Sequence, residues 1–177
     1  MRILAIDPGN EYSGWAIIDE DYRPVSFGKT KNEDLCHSLN EMFFDRVVIE
    51  MVASYGMPVG KTVFDTCVWI GRFMEFIILD ARVWERDISF ATRKEYVTAL
   101  CGSSRAKDAN VIQYLIDRFA PNTPNRGKGT KKEPGWFYGF KADVWQAYAI
   151  AVYAMDALNH TLSRCVTDGR VNGNNQT

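Results

Sequence analysis

Ile3-Leu4-Ala5-Ile6 runs straight into Asp7-Pro8-Gly9, and a second apolar run, Gly14-Trp15-Ala16-Ile17-Ile18, follows at once. This pattern reads as a buried strand that ends on a carboxylate, a tight turn, and a returning strand beside it. A carboxylate closing a buried strand needs charge balance, so a metal ion or a cationic ligand is the first partner to expect. Asp-Pro-Gly is also an ordinary turn sequence, and on this stretch alone the two readings weigh equally.

The periodicity downstream extends the strand pair into an α/β domain. Residues 2–7, 12–19 and 24–28 read as a three-strand meander. Asn32 is placed to cap a short helix reaching about Phe43, and Arg46-Val47-Val48-Ile49-Glu50 is a fourth strand, again apolar and again closing on an acid. A loop over 54–60 leads into a helix from about Lys61 to Asp80, with apolar residues at helical spacing. Val83 to Phe90 reads as a fifth strand, Thr92 as the cap of a helix to Leu100, and Ser104 as the cap of another to Phe119. Pro121 to Gly139 is loop, and a last helix runs from about Ala142 to Leu158. The order β-β-β-α-β-α-β-α-α-α implies one mixed sheet with helices on both faces. A single domain over 1–160 is expected, with 161–177 a polar, flexible tail.

Composition removes several classes of function. An apolar content of 46% supports a packed core, and no apolar run of about 18 residues is present, so no membrane partner is expected. Met1-Arg2-Ile3 opens directly on the first strand, without the pattern of a signal peptide. Cys36, Cys67, Cys101 and Cys165 form no CxxC pair, and His37 and His160 lie far apart, which argues against structural zinc and for reduced thiols in a cytoplasmic setting. The net charge of −1 does not mark a nucleic-acid binder, but its distribution is uneven. Residues 7–50 hold ten acids and four bases, whereas residues 121–141 hold five bases and one acid.

Asp7 and Glu50 end two separate apolar strands, and neighbouring strands lie about 4.8 Å apart, so their carboxylates can meet. Asp143 opens the last helix. Three carboxylates gathered from two strand ends and a helix start would form an oxygen-rich pocket suited to Mg²⁺ or Mn²⁺. Each acid also has a plainer account. Asp143-Val144-Trp145-Gln146 is close to a capping box, and Glu50 could face solvent at a strand end. The three acids together, beside the Pro-Gly turn, favour the metal pocket.

These segments resemble the RuvC-like Holliday junction resolvases of the ribonuclease H-like superfamily, the phage-borne branch from Gram-positive hosts most of all. Ile3 to Ile18 matches the opening motif and Val48-Ile49-Glu50 the second acidic strand end. Gly102-Ser103-Ser104-Arg105-Ala106-Lys107 resembles the Gly-x-x-Arg-Ala segment, and Ala142 to Ala149 the closing acidic helix. The resemblance implies a ribonuclease H-like mixed five-stranded sheet, with an antiparallel meander plus parallel strands. It implies a structure-selective endonuclease that nicks four-way or other branched DNA, working as a homodimer in a bacterial host cell. It also implies two divalent cations, Mg²⁺ or Mn²⁺, held by Asp7, Glu50 and Asp143, with a two-metal hydrolysis of the phosphodiester bond. Two positions depart from the family pattern. Gln146 stands where a second acid is usual in the closing helix, a neutral residue on the same helix face. Ala53 stands where an aromatic is usual, with Tyr55 two residues on as the candidate replacement for contact with the junction.

DNA contacts are expected in two places. Arg105 and Lys107 sit by a helix start, where free N–H groups favour phosphate. Lys128, Lys131, Lys132 and Lys141 flank the acidic helix and enclose Trp136-Phe137-Tyr138-Gly139-Phe140, whose rings either stack on unpaired bases or anchor the loop to the core. Gly127 to Lys132 lacks P-loop spacing. Arg93 and Lys94 read as solvated surface, and helix 61–80 as core or a dimer seam. Two other functions fit parts of the pattern. A branched-DNA-binding protein with little or no cleavage would explain Gln146. A sugar-kinase or actin-type nucleotide fold also opens on a strand and an acid-Gly turn, but needs two such domains, so no nucleotide cofactor is expected.

Overall fold

The computed structural model describes residues 1–171 except Tyr55, Met57 and Arg82, with side chains described through residue 164. Five strands, β1 (Arg2–Asp7), β2 (Tyr12–Asp19), β3 (Pro24–Lys31), β4 (Arg46–Met51) and β5 (Ile88–Thr92), form one sheet in the order β3-β2-β1-β4-β5. The first three pair antiparallel, while β1–β4 and β4–β5 pair parallel, so the expected mixed sheet is the one observed. Helices α1 (Asn32–Ser38) and α2 (Lys61–Leu79) cover one face. Helices α3 (Arg93–Cys101), α4 (Asp108–Phe119) and α5 (Ala142–Val171) cover the other.

The period-2 alternation of the strands divides the core in two. Ile3, Ala5 and Val48 point to the α5 face and pack with Val144, Tyr148 and Val152. Leu4, Ile6, Val47 and Ile49 point to the α2 face and pack with Leu35, Ile70 and Phe73. The parallel register sets Ile6 against Ile49, which puts Asp7 and Glu50 at equivalent places at the same end of the sheet. Alternation turns both toward the α5 face, the side on which Asp143 begins its helix.

Several boundaries differ from expectation. β3 runs three residues further than expected, to Lys31. β5 starts at Ile88, not Val83, because Val83 packs into the α2-side core and residues 85–87 form a 3₁₀ turn. α1 is shorter than expected, and Asn32 is not its cap: Lys31 holds that place without a side-chain bond, and Asn32 is buried. Ser104 does not cap α4, which begins at Asp108 after a turn, with the Asn110 side chain accepting from the Lys107 N–H at 2.9 Å. α5 passes the expected end at Leu158 and reaches Val171; beyond Leu158 the Thr161 hydroxyl donates to Ala157 O and the Ser163 hydroxyl to Asn159 O within the helix. Residues 172–177 of the expected tail lie outside the described residues.

The expected cap at Thr92 is present as a full capping box with Glu95, and Gly102 closes α3 in the left-handed region at φ 69°. The aromatic loop before α5 is an anchor. Phe137 and Phe140 are buried against Trp145 and Tyr148, and Trp136 stacks on Phe119 and donates to the Tyr148 hydroxyl at 2.9 Å. Tyr138 alone of these rings is exposed.

Candidate active site

The turn after Asp7 is held by a small buried latch. The Ser13 hydroxyl donates to Asn32 Oδ1 at 2.7 Å, and Asn32 Nδ2 donates to Gly9 O at 2.9 Å. The Gly9 N–H returns to Ser13 Oγ at 3.3 Å. Ser13 and Asn32 are both fully buried, and every polar atom in this ring has a partner. The Asp7 side chain therefore leaves a rigid strand end.

Gly14, the register partner of Asp7 on β2, admits the start of α5. A Cβ at Gly14 would lie 2.7 Å from the carbonyl oxygen of Asp143. Only glycine lets the helix come this close, and the approach brings Asp143 beside Asp7. The two acids line one depression of about 330 Å³ together with Pro8, Gly9, Tyr12 and Lys29. Asp7 also borders an adjoining depression of about 250 Å³ with Glu50, Ala53 and Arg93. The three expected acids thus converge on one end of the sheet, with Asp7 in the middle.

Asp7 and Glu50 share a hydrogen bond. Burial, the Glu50 charge and that bond push the Asp7 carboxyl far above the ordinary carboxylate range. Burial also raises Glu50, against the Asp7 hydrogen bond and the nearby Arg93 charge. Two adjacent carboxylates, each disfavoured as an anion, mark a place that a cation would fill, and the oxygen-only donors suit a hard divalent ion. Asp143 Oδ2 forms an ion pair with Lys29 Nζ. Among the described residues, no group of three or more His, Cys, Asp or Glu side chains stands ready to hold a metal ion as the side chains lie. The residues fit a divalent cation if Asp143 exchanges Lys29 for it.

Gln146 reaches the site, as its place three residues beyond Asp143 implies. It does not cap α5: Asp143 and Gln146 both lie within the helix, which begins at Ala142. Its Oε1 accepts from the Tyr96 hydroxyl at 3.2 Å and from Arg93 Nη1 at 3.4 Å. Arg93 Nη1 also donates to the Tyr96 oxygen at 3.1 Å, and Nη2 pairs with Asp108. Burial, and then the Glu50 charge, keep the Tyr96 phenol protonated. Arg93 is consequently part of the site, not the solvated surface residue expected from the sequence. The capping box at Thr92 fixes it at the first position of α3, and the parallel β4–β5 register sets Thr92 beside Met51, one residue past Glu50.

Sequence reasoning missed Arg93, Tyr96, Lys29 and the Ser13–Asn32 latch. The T-x-x-E box from Thr92 to Glu95, which contains Arg93, is a usable signal, since it fixes the direction of α3. Lys29 gave none, because the meander was expected to stop at Phe27-Gly28. Of the expected DNA-contacting residues, Lys128, Lys131 and Lys141 line one depression of about 350 Å³ with Tyr138. Lys132 is exposed beside it and absent from its lining. Arg105 and Lys107 are exposed, Lys107 as the cap of α4 and Arg105 in the turn ahead of the helix, not in its first turn. Tyr55 lies outside the described residues.

No protein-family model matches this chain, and no curated protein matches it in sequence. Solved structures do match. Thermus thermophilus RuvC superposes with a TM-score of 0.63 at 17% identity, covering 91% of this chain and 98% of that one. The fold is RuvC-like. T. thermophilus RuvC in complex with a Holliday junction substrate matches with a TM-score of 0.56 at 16% identity, covering 89% and 94%. The likeness spans nearly the whole of each chain, so the sheet and the helices on both its faces are shared.

Proposed function

We propose that this protein is a metal-dependent, structure-selective DNA endonuclease that nicks four-way or other branched DNA, with Mg²⁺ or Mn²⁺ held by Asp7, Glu50 and Asp143. One observation carries the reading: on a RuvC-like fold, the half-buried strand-end carboxylates of Asp7 and Glu50 line one depression, and Asp7 lines the adjoining one with the helix-borne acid Asp143. When bound, divalent cations would polarise the phosphodiester and make water a competent nucleophile near neutral pH. Asp7, locked by the latch, would be the central residue holding the cation. Tyr96 and Arg93 fix Gln146, and Lys29 holds Asp143 until the ion arrives. The solved RuvC complex contains a Holliday junction, which supports branched DNA as the substrate class here. Lys128, Lys131 and Lys141, gathered on one side of the α5 start, are suited to phosphate contacts that position the duplex without reading its sequence.

A homodimer would present two such sites to matched strands of a four-way junction. Phe64, Val68 and Leu79 lie exposed along α2, an apolar surface suited to that contact. A second reading, a branched-DNA-binding protein with little cleavage, is favoured by the Lys29–Asp143 pair and the neutral Gln146. A nicking assay on a synthetic four-way junction, titrated with Mg²⁺ and Mn²⁺, separates the two. Metal-dependent nicks support the nuclease, and tight binding without nicks at any metal concentration supports the second reading.

A further inference from the structure

We infer that this site binds one divalent cation, not the two that the sequence resemblance implies, and that the guanidinium of Arg93 stands in for the second positive centre. The inference rests on the metal-dependent reading above and deepens it. A carbonyl oxygen has two acceptor positions, and both of those on Gln146 are taken, by the Tyr96 hydroxyl and by Arg93 Nη1. Arginine carries no acceptor, so the amide must present its oxygen to Arg93, and a flipped amide would set donor against donor. An ion seated between Glu50 and position 146 would have to strip away both donors and then lie against a fixed positive charge.

Arg93 is braced from three sides, by Tyr96 on its own helix, by Gln146 on α5 and by Asp108 at the start of α4. Guanidinium stays charged at any working pH. Of its five N–H donors, three are used in these contacts. The others remain for a phosphate oxygen brought to Asp7 and Glu50, where a preorganised charge stabilises the transition state without rearrangement.

Calorimetric titration of the purified protein with Mn²⁺ tests this directly, apart from any activity. The parent chain should bind one Mn²⁺ per chain, and Asp7→Asn should lose it. Gln146→Asp alone should still bind one, because the new carboxylate pairs with Arg93. The double variant Arg93→Gln/Gln146→Asp should bind two. Two Asp7-dependent ions in the parent chain, or one in a folded double variant, would overturn the inference while leaving the metal-dependent reading intact. If the double variant does not fold, as judged by circular dichroism, Asp108→Asn replaces it. With one negative charge fewer, the single Mn²⁺ should bind several-fold more weakly, and unchanged affinity would overturn the inference. Absence of any Asp7-dependent Mn²⁺ binding would remove the metal-dependent reading itself.

Discussion

The two halves of the site are built by different means. Asp7 and Glu50 come from adjacent parallel strands, are mostly buried, and lack a side-chain cation in direct contact. Asp143 and Gln146 come from one helix and are already answered by Lys29, Arg93 and Tyr96. The strand half is rigid and electrostatically unsatisfied, and the helix half is satisfied and exchangeable. A cation gains most where the protein has withheld compensation, so metal affinity should reside in the strand half. The helix half should tune how many ions enter and how firmly.

The largest effect should come from the strand half. Asp7→Asn should lower metal-dependent nicking by at least about 100-fold while leaving four-way junction binding within about threefold, read by gel-based cleavage and by fluorescence anisotropy. Comparable nicking by this variant would break the contrast between the halves. Asn32→Ala should destabilise the fold by about 1–3 kcal/mol in urea unfolding, because it leaves the buried Ser13 hydroxyl and Gly9 carbonyl without partners. It should also loosen Asp7 and weaken Mn²⁺ binding.

The anchoring of α5 gives a smaller, pH-dependent effect. Burial alone would raise the Asp156 carboxyl. The two-pronged Arg118 guanidinium, at 2.6 and 2.8 Å, and the Tyr22 hydroxyl outweigh burial and hold it below the ordinary range. A depressed folded-state pKa contributes stability above the unfolded value of about 3.9, which is lost as pH falls through the folded value. Asp156→Asn should therefore cost about 1–2 kcal/mol at pH 7 and progressively less below about pH 4, measured by thermal melts across pH. A constant difference across that range would show that the helix is pinned by packing alone. The smallest effect is expected at Lys29. Lys29→Ala frees Asp143 and should tighten Mn²⁺ binding a few-fold without changing the fold, since exposed pairs add under about 1 kcal/mol. Weaker binding would mean that Lys29 orders Asp143 for the metal and does not compete with it.

The same contrast explains what could be read from the sequence. The sheet, its acids and the helices on both faces were legible because apolar period-2 runs ending on Asp7 and Glu50 leave few other folds open. The starts of α1, α4 and β5 were not: Asn32 is drawn into the latch, Lys107 and Asn110 close the start of α4 in place of Ser104, and Val83 packs into the α2-side core ahead of a 3₁₀ turn. Asn32 looked like a cap and is a buried latch, since Ser13 and Gly9 offer it better partners than its own helix does. Arg93 looked like surface because pattern along one chain does not show what β4 and α5 place beside it. Gln146 lies one helical turn beyond Asp143, but its partners, which decide what it can ligate, come from α3 and are invisible from its own helix.

The parallel pairing of β1 with β4 makes the site depend on parity. Glu50 faces Asp7 only because an even-odd count along both strands agrees. A one-residue insertion inside β4 ahead of Glu50 would keep every acid in the chain and carry that carboxylate through the sheet to the α2 side. Such a chain would carry the same acids in the same order and still have no site.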